Sequence, residues 1–199
     1  MKKLSLIFAC IAFLAFGATA LAQSSLDAFP AGITTMTYRM TNQDMDQPQE
    51  LELAVNAHGD GTYTLNMSMA ATGTSDQLSG FGFLFGGGSL AAGSGQDVSY
   101  SSLQALIAQR SRLQAGQEYL LPGGGKFTDI TGVTIAGVWC LQGEFVDPDN
   151  SDSRTTLAFA LSHPVYIFPL VKVEKKENGK WVETFGLELT GYTFTAPKD

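Results

Sequence analysis

The stretch Glu50-Leu-Glu-Leu-Ala-Val-Asn-Ala-His-Gly-Asp-Gly-Thr-Tyr-Thr-Leu-Asn-Met-Ser-Met-Ala70 contains two runs of alternating apolar and polar residues around a glycine-rich turn. Successive side chains of a β-strand point to opposite faces, so this alternation is typical of strands with one solvated face. The pair Asp60-Gly61 suits a tight hairpin turn. The stretch therefore predicts an antiparallel hairpin. The apolar side chains on its inner face are Leu51, Leu53, Val55, Tyr63, Leu65, Met67 and Met69.

The same alternation recurs along most of the chain. Further strands are predicted in residues 33–41, 127–146, 154–161, 170–176 and 181–194, with a second hairpin turn at Asn178-Gly179. A helical spacing of apolar residues in 97–110 predicts one short helix, capped by Ser99 or Ser101. The sequence thus predicts a mainly β fold: a curved antiparallel sheet or open half-barrel of about 8–10 strands, with the helix on its concave side.

The first residues have the layout of a secretory signal peptide. Met1-Lys-Lys3 is basic, residues 4–16 are apolar, and Ala20-Leu-Ala22 is a small-x-small cleavage site, so we expect cleavage between Ala22 and Gln23. Cleavage at Cys10, as in a lipoprotein, would leave too short an apolar region. We therefore expect an exported protein, periplasmic or secreted, with a signal peptide in 1–22 and a single β-rich domain in 23–199.

The charge of the chain argues against one class of partner, and its cysteine content argues against an internal disulfide. Without its signal peptide the chain has 177 residues with 10 basic and 19 acidic side chains, a formal net charge of −9. An acidic surface repels phosphate backbones, so we expect no nucleic-acid partner. Cys140 is then the one cysteine left, which rules out an internal disulfide. Its position in an apolar run predicts a buried, unreactive thiol.

The sequence gives only weak signals for a catalytic site or a metal site. Ser89, followed by Asp129 or Asp147 and then His163, has the order of a hydrolase triad. The βα units that position such a serine are absent, however, so we predict no catalytic residue. The carboxylates of residues 147–152 suit a solvated turn better than a calcium site. One cysteine and two distant histidines give no zinc spacing, and we expect no metal and no cofactor.

Apolar residues supply the candidate ligand-binding site. Met is pliable and fits surfaces that accept varied apolar shapes. A glycine-rich loop at 80–96 carries further apolar side chains, and it either folds back on the sheet as a plug or reaches out to a lipid or partner. The candidate residues are Met36, Met40, Met67, Met69, Phe81, Phe83, Leu84, Phe85 and Trp139.

Three segments resemble uncharacterised secreted bacterial antiparallel-β proteins. Phe29-Pro-Ala-Gly-Ile-Thr-Thr-Met-Thr-Tyr38 is similar to their opening, although Met36 stands where they have Trp. Thr134-Ile-Ala-Gly-Val-Trp139 is similar to their central strand, and Pro169-Leu-Val-Lys-Val-Glu174 begins a segment similar to their C-terminal hairpin. Some of these proteins are related to the half-barrels of periplasmic lipoprotein carriers. The resemblance implies a fold and a compartment, and it supplies no active site.

These observations lead to three functional hypotheses. The first is an exported, non-enzymatic protein that binds a lipid or another apolar small molecule in a sheet-lined cavity, with residues 81–85 as a lid. The second is an envelope interaction or assembly protein, in which residues 81–85 dock an envelope protein or a membrane surface. The third, which we disfavour, is a hydrolase that uses Ser89 and His163.

Overall fold

The structure is a computed structural model, and it describes residues 24–43, 47–70, 100–122, 124–146 and 151–197. The described residues form nine strands, one α-helix and two short 3-10 helices, at Leu26–Ala28 and Arg110–Arg112. None of the helices in the described part of the chain is long and apolar enough to cross a membrane. The helix α1 spans Tyr100–Gln109, and the strands are β1 (Gly32–Asn42), β2 (Gln49–Ala57), β3 (Tyr63–Ala70), β4 (Tyr119–Leu120), β5 (Lys126–Ile135), β6 (Val138–Val146), β7 (Ser153–Ala160), β8 (Leu170–Glu177) and β9 (Lys180–Thr195).

The strands form one antiparallel sheet in the order β3-β2-β1-β9-β8-β7-β6-β5-β4. Two meanders, β1 to β3 and β4 to β9, are joined because the first strand pairs with the last. Strands β3 and β4 lie at opposite edges, so the sheet is open within the described residues. The predicted open antiparallel sheet with one short helix is confirmed.

Two hairpin turns have backbone conformations that match the right-handed twist of the flanking strands. Asn178 and Gly179 have φ of 50° and 78° between β8 and β9, and Ala136 and Gly137 have φ of 46° and 81° between β5 and β6. Positive φ at both central residues is the requirement of the favoured two-residue turn. Asn tolerates it better than Ala, so the second turn is the more strained.

Two apolar clusters cover different parts of the sheet. The first contains Met36 and Tyr38 of β1 together with Val138 and Cys140 of β6. The second contains Leu141 and other alternate residues of β6 and β7, and Leu106 of α1 packs into it. Neighbouring residues of β6 thus belong to different clusters, so both faces of this strand are covered. In β7 seven of the eight residues are buried.

The connection between β7 and β8 covers β1. Val165, Tyr166 and Ile167 are buried in the first cluster. The hydroxyl of Tyr38 donates a hydrogen bond to the carbonyl oxygen of Ile167 at 3.1 Å, and the backbone N–H of Tyr166 donates to Met36 Sδ at 3.3 Å. Burial raises the pKa of Tyr38 well above its ordinary value, so its hydroxyl stays protonated and available as a donor.

Candidate interaction surface

An apolar row crosses the sheet from a covered strand to an uncovered one. Met36 of β1 lies opposite Leu53 of β2, which lies opposite Met67 of β3. Met36 and Leu53 are 0% exposed, whereas Met67 is 51% exposed. Directly opposed residues of antiparallel strands share a face, so the same apolar surface continues from the core to the edge of the sheet. Among the described residues, the buried part of this surface ends at β2, and Met67 on β3 is exposed.

Three further pairs of opposed residues on β2 and β3 show the same change, from a buried side chain on β2 to a less buried one on β3. Each inward-facing residue of this strand is apolar, and each has an exposed or half-buried side chain. We call these four residues the edge row: Tyr63, Leu65, Met67 and Met69. Their partners on β2 are buried. The edge row is therefore the open margin of the core.

The N-terminal segment closes one end of the edge row. Leu26, in the first 3-10 helix, packs against the same cluster as Tyr63. The hydroxyl of Tyr63 donates a hydrogen bond to Asp27 Oδ1 at 3.3 Å. Partial burial, together with the charge of Asp27 and this hydrogen bond, raises the pKa of Tyr63. This contact fixes Tyr63, while Leu65 and Met67 extend beyond it.

The hairpin that carries the edge row is acidic. We call residues 49–70 the edge hairpin, and it contains Glu50, Glu52 and Asp60 but neither Lys nor Arg. Glu50 and Glu52 are exposed, and no ion pair of theirs occurs among the described residues. Asp60 accepts hydrogen bonds from the hydroxyl and backbone N–H of Thr62, at 2.6 and 2.9 Å, which lower its pKa.

Elsewhere on the sheet several charged side chains form ion pairs. Arg39 contacts Glu188 at 2.5 Å, and Glu174 contacts both Arg154 and Lys172 at 2.9 Å. A groove of about 220 Å³ lies among several of these groups. Five of its eight lining residues are polar or charged, and four of those five carry a charge, which does not suit an apolar ligand. The lining residues are Arg39, Thr41, Leu170, Lys172, Glu183, Gly186, Leu187 and Glu188.

The structure separates the candidate ligand-binding residues predicted from the sequence. Met36 and Met40 are buried in the first cluster, whereas Met67 and Met69 belong to the edge row. Trp139 lies on β6, which five strands separate from β3 in the sheet order, and is 48% exposed. Its ring packs over Gly132, where a Cβ would collide with it. These residues therefore do not line one pocket, and ligand binding by them stays a prediction.

Other predicted residues lie outside the described ones. These are Phe81, Phe83, Leu84 and Phe85 of the glycine-rich loop, Ser89 of the hydrolase hypothesis, Asp147, and the cleavage residues Ala22 and Gln23.

The described residues give little support to the catalytic and metal hypotheses. His163 Nδ1 lies 2.7 Å from Ser162 Oγ, and its ring lies 5.3 Å from that of Tyr192. Three or more metal-ligating side chains do not come together anywhere in the described ranges. Cys140 is buried as predicted, and burial raises its pKa to about 11. It is therefore a protonated, inert thiol at neutral pH.

Sequence reasoning missed the charge segregation of the edge hairpin. Between Arg39 and Arg110 the chain contains seven acidic residues and no Lys or Arg. Charge counted over the whole chain hides this asymmetry, which a count by segment shows.

The comparisons with known proteins give a distant likeness in fold. No family model matches the sequence, and no curated protein matches it. Among solved structures, MucB has a TM-score of 0.45 at 10% identity over 94% of this chain, and MucB in complex with MucA(peri) one of 0.44 at 11% identity over 96%. A complex of Pseudomonas aeruginosa MucA and MucB has a TM-score of 0.39 at 11% identity over 94%. The chain spans 57–59% of the length of these structures.

Proposed function

We propose that this chain is an exported, non-enzymatic binding protein that uses the edge row to bind a protein partner. The observation that carries the proposal is the row from Met36 to Met67, in which the apolar face continues to the sheet edge and loses its cover there. Contiguous exposed apolar surface with a polar rim marks a binding site. Burying the exposed half of Met67 and its neighbours supplies the free energy of association.

Several observations favour a protein partner over a lipid held inside the sheet. Met36 and Met40, predicted to line a cavity, instead fill a core that residues 165–167 cover. On β3 the apolar side chains that are exposed or half-buried form a narrow row along one strand, which fits an extended chain better than a bulky acyl group. The proposal thus develops the interaction hypothesis, with β3 as the contact element. A role for residues 81–85 in the same contact stays a prediction.

Site-specific photo-crosslinking in the producing cells tests this function. A photoreactive amino acid replaces Met67 in one variant and Val182 in the control, because Val182 is also exposed, at 38%, but lies on β9. We expect one protein adduct of discrete mass at position 67 and none at position 182. Equal labelling at both positions, or no adduct at position 67, contradicts the proposal.

Native mass spectrometry tests the lipid hypothesis independently. Mature protein purified without detergent is weighed before and after organic extraction. The proposed function predicts a mass equal to that of the polypeptide. An added mass that organic solvent extracts, together with a lipid adduct at position 67, would replace the protein partner by a lipid ligand.

A further inference from the structure

We infer that the partner is an extended peptide segment that adds to β3 as a tenth strand and carries Lys or Arg on its solvent-facing side. This inference rests on the proposed function, since it assigns a binding mode and a partner chemistry to the same edge row. Three independent features lead to it: the direction of the free backbone groups, the composition of the edge, and the charge around it.

The backbone groups of the edge row point away from the sheet. Within the described residues β3 pairs with β2 alone. The N–H of His58 donates to the carbonyl oxygen of Thr62 at 3.0 Å, which makes this opposed pair a hydrogen-bonded one. Bonded and non-bonded pairs alternate along an antiparallel ladder. The backbone groups of Leu65, Met67 and the rest of the edge row are therefore directed outward, to where an added strand would lie.

The residues of the edge row thus offer a partner both their outward backbone groups and their apolar side chains. An incoming residue opposite Met67 would exchange backbone hydrogen bonds with it and place its own side chain on the apolar face beside it. This combination is the one used in peptide recognition by strand addition.

The residues of β3 themselves lack the charges, proline and bulge that protect many sheet edges. Natural edge strands carry charges, proline or a bulge, which prevent pairing with another chain. The eight residues of β3 include no charged side chain and no proline, and the pairing with β2 is regular throughout. An edge of this composition, with β2 as its one paired strand among the described residues, favours pairing with another chain.

Charge complementarity specifies the partner. The outward-facing side chains of an added strand would lie beside Asn66 and Ser68, and two strand spacings, about 10 Å, from Glu50 and Glu52. A flexible Lys or Arg side chain spans most of that distance, and the screening length at physiological salt is about 8 Å. Neither carboxylate has an ion-pair partner among the described residues. A second copy of this chain would bring another acidic hairpin to the same place, so a basic strand fits better.

Three peptides of nine residues test the inference. All carry the same apolar residues at alternate positions, and the remaining positions are Lys, Gln or Glu. Their affinities for the full mature chain are measured by fluorescence anisotropy at low and physiological salt. We expect the Lys peptide to bind at least about tenfold more tightly than the Glu peptide, with a gap that narrows as salt screens the charges. Equal affinities would overturn the basic character of the partner.

Amide hydrogen exchange reports the binding mode in the unmodified protein. In the free chain we expect slow exchange at Asn66 and Ser68, which bond to β2, and fast exchange at Leu65 and Met67. The Lys peptide should slow the second pair to the rate of the first. Protection of Leu65 and Met67 before peptide is added, or no change after it binds, would overturn strand addition.

Variants separate this inference from the proposed function. Glu50→Gln with Glu52→Gln should abolish the preference for Lys and leave the Gln peptide unaffected. Met67→Pro removes an outward N–H and should prevent peptide binding, while Met67→Ala keeps it and weakens binding less. Binding by neither Lys nor Gln peptide, alongside a protein adduct at position 67, would refute strand addition and leave the proposed function intact. Loss of peptide binding and of the protein adduct at position 67 would refute both strand addition and the proposed function.

Discussion

Strands β7 and β3 are equally long and belong to the same sheet, yet their surroundings differ completely. Seven of the eight residues of β7 are buried, and none of the eight residues of β3 is. Strand β7 has apolar clusters on both faces, whereas β3 pairs with one strand in the described part of the chain and has a partly covered face. We infer that the stability of the protein is concentrated at β6 and β7, and that β3 is left available for binding.

The largest effect is expected where both faces are covered. Phe159 is fully buried, and its ring makes edge-to-face contacts with Phe127 at 5.7 Å and Phe168 at 5.3 Å. Phe159→Ala should lower the free energy of unfolding by about 3–5 kcal/mol, because it removes buried area and leaves a cavity. Urea unfolding followed by circular dichroism measures this, with Phe159→Leu as the conservative control. A loss below about 1 kcal/mol would contradict the assignment of stability to this region.

Met36 and Met67 lie in the same row across the sheet and differ in burial, so the same substitution at each tests how burial affects stability. Met36 is fully buried and accepts the N–H of Tyr166, while Met67 is half exposed. Met36→Ala should cost about 2–5 kcal/mol, and Met67→Ala should change the free energy of unfolding by no more than about 0.5 kcal/mol. Both are measured by urea unfolding under the same conditions. Equal losses would show that β3 is part of the stable core, and the binding proposal would lose its basis.

Much of the fold could be predicted from local pattern. The alternation of apolar and polar residues predicted both strands of the edge hairpin, and Asn178-Gly179 predicted the last turn. Both features depend on residues that are close together in the chain. Pairing of β1 with β9 could not be predicted, since it joins residues about 150 positions apart. The burial of both faces of β7 was not predicted, for a related reason. Its alternation favoured one covered face, and Ala158 and Ala160 gave no sign of the second cluster.

The candidate site was only partly predictable. Met67 and Met69 were identified as apolar inner-face residues, and they lie on the edge row. The same pattern also identified Met36, which is core, because alternation shows which face a side chain is on and not how far the cover extends. That depends on residues 165–167, which cross β1 from a distant part of the chain. The opposed positions of Met36, Leu53 and Met67 became visible only with the register.

A smaller effect is expected from two carboxylates that differ in pairing. Glu174 has a side chain 8% exposed and contacts Arg154 and Lys172, whereas Glu52 is exposed and unpaired among the described residues. Glu174→Gln should lower the free energy of unfolding at neutral pH by about 1–2 kcal/mol, because it weakens charge-assisted hydrogen bonds around a buried group. Glu52→Gln, the matched control, should change it by less than about 0.5 kcal/mol.

The pH dependence of this difference is the more specific test. Burial alone would raise the pKa of Glu174, but hydrogen bonds and charges from Lys172 and Arg154 outweigh it, and the pKa is lowered. A lowered pKa in the folded state means that the stabilisation is complete above the unfolded value, about 4.3, and is lost as pH falls through the folded value. The gap between wild type and Glu174→Gln in urea unfolding should therefore be constant from about pH 7 to pH 5 and close below about pH 4. A gap that widens on acidification would mean that burial dominates and that Glu174 is held against its own preference for protonation.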